Sequence, residues 1–318
     1  MKKSRRLPFL FLTICLLSMT VLSCIKEDED DCLPEERSIQ VYFSFNGNGP
    51  TDIDPANVKN ILLYVFDKEG YYWSSYHDDQ ADLTDVNYHM PVSLPADDYQ
   101  LVAWCNTDQG DYDAGSFEKG KTKLSEAMLS LRRSANNNDT ITHTIDYLYF
   151  GDLKPIHVAE TGNQKFTVPM VQDTYTINLK TEGLDKSAGQ YTFVINDRNG
   201  SYYFDNSFAS DREYHYIQKG SADAAGQPSA SIRTLRLKEE STTMLRIYDQ
   251  TDKKLIFDQD LINLIRQAYS QNSTYAPGSL NFYAVHTYDI LLVFDMAKMT
   301  VTVSINGWEI NKQEEILG

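Results

Sequence analysis

Cys24 and Cys32 are the residues of this 318-residue chain whose side chains most readily do chemistry, and residues 27–31 between them are five consecutive acids. A thiol outside a metal site or a nucleophilic triad has two common fates, lipidation and disulfide formation. Cys24 follows Leu22 and Ser23 in the segment VLSC, which matches a lipobox, the bacterial signal that is cleaved before a cysteine whose thiol is diacylated. The sequence therefore predicts cleavage between Ser23 and Cys24, with lipid on Cys24.

Residues 1–23 have the composition of a lipoprotein signal peptide. The basic run MKKSRR precedes sixteen mostly apolar residues, 7–22, and this stretch is shorter than the about 20 residues that a membrane-spanning helix needs. Residues 1–23 contain no alanine, so the small-x-small site of ordinary signal cleavage is missing. An ordinary signal peptide followed by an unrelated cysteine is the alternative.

Residues 24–37 are predicted to form a lipidated acidic tether. A block of like charges repels itself and does not pack, so it favours an extended chain. Its composition resembles the acidic export signal that sends lipoproteins to the outer face of the outer membrane in some Gram-negative anaerobes. Ile25 follows the lipidated cysteine where an aspartate is typical of inner-membrane retention. We therefore expect a lipid-anchored, surface-exposed protein of the outer membrane.

The net charge of the chain is −16, and residues 1–23 carry four basic residues and no acid. The chain that remains after cleavage is therefore more negative still. A field of this sign repels phosphate backbones, so nucleic acid is not an expected partner.

Two cysteines remain for the folded part, because Cys15 leaves with the signal and Cys24 takes lipid. Cys32 and Cys105 can form one disulfide in an oxidising envelope, or can both stay reduced. The chain has no C-x-x-C pair and its six histidines are scattered, so no zinc site is predicted.

The elements that must carry these residues are mostly strands. Alternation and apolar runs predict strands at 38–45, 58–67, 71–76, 88–94, 99–105, 141–153, 165–181 (two strands), 190–197, 201–205, 231–237, 242–249, 288–295 and 300–308. Helical spacing predicts helices at 124–133 and 258–269, the second with Asp258 or Asp260 as its N-cap. This order repeats from about residue 166. We therefore predict an all-β fold of two tandem β-sandwiches with short accessory helices, over residues 38–167 and 168–318.

Motifs that would indicate catalysis or metal binding are missing from the sequence. It contains no G-x-S-x-G, H-E-x-x-H, P-loop or G-x-G-x-x-G pattern. The acidic segments 77–85 and 107–115 lack the ligand spacing of a calcium loop. A chain this acidic contains many pairs of carboxylates, so such a pair is no evidence for glycoside hydrolysis. We expect a protein that is not an enzyme, without cofactor, metal or small-molecule substrate.

Taken in order, the motifs resemble the FimB-like fimbrial anchor family, the minor-fimbrium anchor subunits of gut and oral anaerobes. The resemblance rests on the lipobox, the acidic tether and the segments VYFSF, ILLYVFDKEGYY, DYQLVAWCN, FTVPMVQDTYTINLKTEGL and VTVSINGW. It covers about residues 24–310. Each segment is unspecific, and the ordered set carries the resemblance.

The resemblance implies two transthyretin-like β-sandwiches and a fimbrillin-like lipoprotein at the base of a pilus, which attaches the fibre to the outer membrane and limits its length. It also implies a pilus shaft subunit as partner, joined by β-strand complementation. In related shaft and tip subunits an Arg-directed protease removes the first strand, and a neighbour's strand fills the groove.

The loop after the first strand, NGNGPTDIDPAN, contains no Arg or Lys, and Arg37 is expected to lie before that strand. Retention of the first strand favours the anchor role. Two alternatives stay open: a tip or shaft fimbrillin subunit, whose mature chain begins after residue 45, and a surface glycan-binding lipoprotein, whose aromatic residues in 71–76 or 201–205 form an exposed platform.

Overall fold

Strands are the main elements of this computed structural model, which describes residues 37–45, 54–107, 110–133, 139–185, 187–270, 282 and 285–310. A short 3-10 helix covers Pro55–Asn57. The strands up to residue 172 are β1 (Arg37–Ser44), β2 (Ile61–Asp67), β3 (Tyr72–Asp78), β4 (Met90–Leu94), β5 (Asp98–Cys105), β6 (Tyr112–Asp113), β7 (Met128–Leu131), β8 (Thr140–Ile141), β9 (Tyr149–His157) and β10 (Lys165–Gln172).

The remaining described residues contain strands, a second 3-10 helix at Ala188–Gln190 and one α-helix. That α-helix has ten residues, and none of the described helices is long and apolar enough to cross a membrane. The elements are β11 (Thr174–Glu182), β12 (Tyr191–Asp197), β13 (Ser201–Tyr203), β14 (Tyr214–Lys219), β15 (Ser221–Ala222), β16 (Pro228–Leu235), β17 (Met244–Asp249), β18 (Lys254–Asp260), α1 (Leu261–Ser270), β19 (Thr287–Asp295), β20 (Thr300–Ile305) and β21 (Trp308–Glu309).

The first sandwich is built from seven strands in the order β3-β2-β5-β9-β10-β1-β4. β10 joins its two sheets, because residues 165–169 pair in parallel with β1 and residues 170–172 pair antiparallel with β9. Alternate apolar residues of both sheets, such as Ile39 in β1 and Leu63 in β2, share one buried core. The period-two pattern of the sequence is therefore the inward face of each strand.

The second sandwich packs a sheet of order β15-β16-β11-β19-β20-β21 against a sheet of order β18-β17-β12-β14-β8. Its core includes Ile177 from one sheet and Phe193 from the other, both fully buried. α1 adds Leu261 and Ile265 to the same core and lies against β18, β20 and β21.

A small sheet of β13, β7 and β6 lies where the two sandwiches meet. The outer faces of β2 and β5 carry Phe66 and Trp104, whose rings lie 6.2 and 6.0 Å from the ring of Phe204, just after β13. The core of the second sandwich is therefore continuous with one face of the first.

The prediction of an all-β fold is confirmed, as is the helix at 258–269, observed as α1 at Leu261–Ser270. Its N-cap is Asp260, one of the two candidates. The Asp260 Oδ1 atom accepts hydrogen bonds from the backbone N–H groups of Ile262 at 2.9 Å and Asn263 at 3.2 Å.

The helix predicted at 124–133 is wrong, because Met128–Leu131 forms strand β7. Leu129 and Leu131 are buried at strand spacing, opposite Tyr202 in β13 and Tyr112 in β6. Pairing with these two strands outweighs the helical spacing of Leu124, Met128 and Leu131, on which the prediction rests. The strand predicted at 141–153 is also only partly right, since residues 142–148 lie in no strand.

The division into domains at 167/168 stays a prediction. It falls inside β10, and the chain changes from the first sandwich to the second at Asp173, the one residue between β10 and β11.

Candidate assembly surface

The residues predicted to carry the lipid lie outside the described part of the structure. These are Ser23, Cys24 and the acidic tether that ends in Cys32. The described chain begins at Arg37, which is the first residue of β1 and is paired with Leu94 of β4. The expectation that Arg37 lies before the first strand is therefore wrong. The tether leads directly into a paired strand.

β1 lies between β4 and β10 and not at a sheet edge. Residues 37–41 pair antiparallel with β4, and residues 40–44 pair in parallel with β10. The side chains of Ile39 and Val41 are 1% and 0% exposed, and both belong to the first core. Removing β1 would therefore open a groove with unpaired backbone groups on both sides and an apolar floor.

The two end strands of the first sandwich, β3 and β4, are joined by one side chain. The Tyr76 hydroxyl in β3 donates to the backbone carbonyl of Ser93 in β4 at 2.5 Å and accepts from the Ser93 N–H at 3.2 Å. These are the backbone groups that an added strand would need at this position. Pro91 also lies in β4 and has no N–H to offer. The outer edge of β4 is therefore poorly suited to a new strand.

The outer edge of β3 is covered by a neighbouring segment of the chain. The Tyr72 N–H donates to the Thr122 carbonyl at 2.8 Å, and the Gly120 N–H donates to the Tyr72 carbonyl at 2.8 Å. Both ends of the first sandwich are thus occupied by the chain itself, at Tyr72 and at Ser93.

One end of the six-stranded sheet in the second sandwich is formed by β20 and the two-residue strand β21. Ile305 of β20 pairs with Trp308 of β21, and the Ile310 N–H donates to the Val303 carbonyl at 2.8 Å. On this side the described residues contain no strand partner for 300–302. Trp308 is 41% exposed. At this edge the described backbone leaves pairing positions open beside an exposed aromatic side chain.

Cys105, the described member of the predicted disulfide, is the last residue of β5 and is fully buried. It lies between Ile61 of β2 and Tyr149 of β9, and burial raises the pKa of its thiol. Within the described residues it forms no disulfide, and Cys32 lies outside them. The Cys32–Cys105 bond therefore stays a prediction.

A buried polar cluster holds the point where the two sandwiches join. Asp173, fully buried, lies 3.3 Å from a guanidinium nitrogen (Nη1) of Arg236, which is 3% exposed. Arg236 Nη2 donates to the Asn206 carbonyl at 2.7 Å, and the Asn206 amide donates to Asp173 Oδ1 at 3.3 Å. Burial raises the pKa of Asp173 to about 6, against the opposing effect of Arg236.

The acidic segments 77–85 and 107–115 were not expected to bind calcium. Their aspartates bond to nearby backbone: Asp78 accepts from the Gln80 N–H at 2.9 Å, and Asp82 accepts from the Thr84 N–H at 3.0 Å. Residues 108–109 lie outside the residues that the structure describes. In the part of the chain that the structure describes, no group of three or more metal-ligating side chains is arranged to hold an ion.

Sequence reasoning did not single out Tyr76, Asp173 or Arg236. Tyr76 and Ser93 are 17 residues apart, and Asp173 and Arg236 are 63 apart. No local pattern connects such pairs. The one available signal was a charged residue, Asp173, inside the otherwise apolar and polar-neutral run FTVPMVQDTYTINL.

The family model for fimbrillin-A associated anchor proteins Mfa1 and Mfa2 matches residues 29–314 of the chain. A search of the curated proteins found no match.

Several solved structures share the fold. A proposed polysaccharide-binding protein of Bacteroides thetaiotaomicron is 24% identical with a TM-score of 0.74, over 88% of this chain and 99% of that one. The fimbrial anchor protein Mfa2 of Porphyromonas gingivalis is 19% identical with a TM-score of 0.68, over 87% of this chain and 100% of that one. A proposed adhesin of Bacteroides thetaiotaomicron is 19% identical with a TM-score of 0.69, over 88% and 98%.

Proposed function

This chain belongs to the family of fimbrillin-A associated anchor proteins, and we propose that it is the lipid-held base subunit of a fimbria. In this role it attaches the fibre to the outer membrane and limits the length of the fibre. The role is structural: the protein holds two large assemblies together and carries out no reaction.

The observation that carries the proposal is the position of β1. The predicted lipid site, Cys24, is connected through the tether to a strand that pairs on both sides and places Ile39 and Val41 in the core. A pull on the fibre therefore reaches the lipid through a central strand of a sandwich and not through a loose terminus. The loop sequence after β1 contains no Arg or Lys, which supports retention of the strand against an Arg-directed protease.

Length control follows from the same position. A subunit whose groove is filled by its own first strand has no acceptor site there for the strand of another subunit. The Tyr76 contact with Ser93 further disfavours strand addition beside β4. We propose that the shaft subunit joins instead at the edge formed by β20 and β21, by β-strand complementation.

The tip or shaft alternative requires release of β1. It predicts a mature chain that begins after residue 45, whereas the anchor role predicts one that begins at the lipidated Cys24. Mass spectrometry of the N-terminal peptide from membranes distinguishes the two.

Replacing the lipidated cysteine tests the anchor role in cells. Cys24→Ala should leave the subunit without lipid, so assembled fibres should appear in the culture medium. Cys32→Ala is the matched control, because it removes a neighbouring thiol and keeps the lipid site. The measurement is the fraction of fibre antigen in cells and in medium. Fibres that stay on the cells of the Cys24→Ala strain, with the subunit itself in the medium, would contradict the proposal.

A further inference from the structure

A cleft of about 510 Å³ lies beside the joint between the two sandwiches. The turn between β2 and β3 forms one wall with residues 123–125, Lys154 of β9 contributes from the first sandwich, and the turn after β13 forms the opposite wall. Its size falls within the about 300–1,000 Å³ that is usual for small-ligand sites, which often lie between domains.

Tyr203 supplies an aromatic ring to this cleft. Its neighbours Tyr202 and Phe204 are fully buried, whereas Tyr203 is 36% exposed, because successive side chains of a strand point to opposite faces. A large ring that is left in solvent on the wall of a cleft offers an apolar surface with a polar tip.

The walls of the cleft are held by backbone hydrogen bonds. The Tyr203 N–H donates to the Ser207 carbonyl at 2.9 Å, and the Asp205 carboxylate accepts from both the backbone N–H and the hydroxyl of Ser207 at 3.0 and 2.6 Å. On the other wall, the Leu124 N–H donates to the Gly70 carbonyl at 2.8 Å. A ligand therefore meets a largely pre-formed site, which lowers the entropy lost on binding.

The charges around the cleft cancel. The lining contains two acidic residues, Glu69 and Asp205, and two basic residues, Lys123 and Lys154, in a chain whose net charge is −16. The side chains of Ser125 and Ser207 add hydroxyl groups. The site thus combines one aromatic face with many hydrogen-bond donors and acceptors and no net charge.

We propose that this cleft binds a short neutral oligosaccharide, stacked on the Tyr203 ring. A sugar ring presents a face of C–H groups to an aromatic surface and a rim of hydroxyls to charged and hydroxyl side chains, which is the combination found here. A nucleotide base also stacks on tyrosine, but its phosphates are repelled by the acidic chain. The proposal is independent of the anchor role, since the cleft is separate from β1 and from the β20–β21 edge.

Calorimetric titration of the whole folded chain tests the proposal. The probes are short oligomers of mannose, xylose, glucose and N-acetylglucosamine, with an oligogalacturonate as the anionic comparison. We expect at least one neutral oligomer to bind. Tyr203→Ala should weaken that binding by about tenfold or more, because the stacking surface is lost. Tyr203→Phe should keep it.

Two further variants guard against misfolding and chance contacts. Ser125→Trp fills the exposed mouth of the cleft and leaves Tyr203 in place, so it should also abolish binding. Val86→Ala removes an exposed apolar side chain outside the lining of the cleft and should leave oligosaccharide binding unchanged. The proposal is overturned if no neutral oligomer binds, if only the oligogalacturonate binds, or if Tyr203→Ala binds like the unaltered chain. Fibre retention by cells carrying Tyr203→Ala stays normal if the anchor role holds, so the two proposals fail separately.

Discussion

Arg236→Met tests whether the buried cluster at Asp173 sets the stability of the joint between the sandwiches. Methionine keeps the unbranched apolar stem of the arginine and removes its charge. The guanidinium of Arg236 also lies 4.6 Å from the ring centre of Phe208, so part of its contact is with an aromatic face that methionine still fills.

The magnitude follows from burial. Asp173 is 0% and Arg236 is 3% exposed, so the remaining carboxylate has no access to water. Among the described residues, Asp173 Oδ2 already has no hydrogen-bond partner. Removing one member of such a pair costs about 3–5 kcal/mol, since an uncompensated charge is left buried. Asp173→Asn together with Arg236→Met removes both charges and should recover at least about 2 kcal/mol of that loss.

The assay is urea unfolding of the unlipidated chain at pH 7.5, followed by tryptophan fluorescence and far-ultraviolet circular dichroism. Trp104 is fully buried with its ring centre 6.2 Å from that of Tyr202, close to the cluster, and reports on this joint. Arg246→Met is the matched control. Arg246 pairs with Asp258 at 2.9 Å, where both side chains are partly exposed, and donates to Asn196 Oδ1 at 3.2 Å, so its loss should cost about 1–2 kcal/mol.

The effect should also depend on pH in a defined direction. The pKa of Asp173 is already raised to about 6, and losing Arg236 raises it further. At pH 5 the folded variant therefore holds Asp173 protonated, and its loss of stability is smaller than at pH 7.5. A loss below about 1 kcal/mol at pH 7.5, or an equal loss in the single and double variants, would refute the reasoning.

Two other substitutions test the closed edge and a second buried acid. Tyr76→Phe removes the two hydrogen bonds to Ser93, so it should lower the free energy of unfolding by about 1–2 kcal/mol and promote self-association, measured by sedimentation velocity. The control Tyr72→Phe loses one exposed hydrogen bond and should stay monomeric. A stable, monomeric Tyr76→Phe would show that this contact does not close the edge. Asp197→Asn addresses a carboxyl whose folded-state pKa burial raises from 3.8 to about 6. The folded state therefore holds this proton more tightly than the unfolded state, so the protonated carboxyl stabilises the fold below pH 4, and this contribution is lost as the pH rises through 6. Between pH 4 and pH 7 the free energy of unfolding of the unaltered chain, measured with urea, should fall by up to about 3 kcal/mol more than that of Asp197→Asn. An equal pH dependence of the two free energies would contradict the assignment.

The sequence predicted α1 and most strands correctly, because their residue patterns lie within short segments of the chain. The helix α1 has apolar residues at Leu261, Leu264 and Ile265 and an aspartate at its start, and each of these acts within about one turn. The strands of both sandwiches follow from alternation, because burial of one face repeats every second residue. The signal, the lipobox at Cys24 and the acidic tether are likewise properties of short segments.

Contacts between distant segments decided the rest. Leu124, Met128 and Leu131 have a spacing that suits a helix. Their segment is nevertheless a strand, because Leu129 pairs with Tyr202 and Leu131 pairs with Tyr112. A strand's own residues do not reveal which strand will lie beside it, so the place of β1 between β4 and β10 could not be predicted.

What the sequence by itself determined is the apolar face of most strands and of α1, and the position where lipid is expected. The tertiary structure decided which edges are open, that Tyr76 closes one of them, and that Asp173 meets Arg236. The physical reason is that periodicity is set by the geometry of one strand or helix, whereas edges, clefts and buried ion pairs exist only between segments that are far apart in the chain.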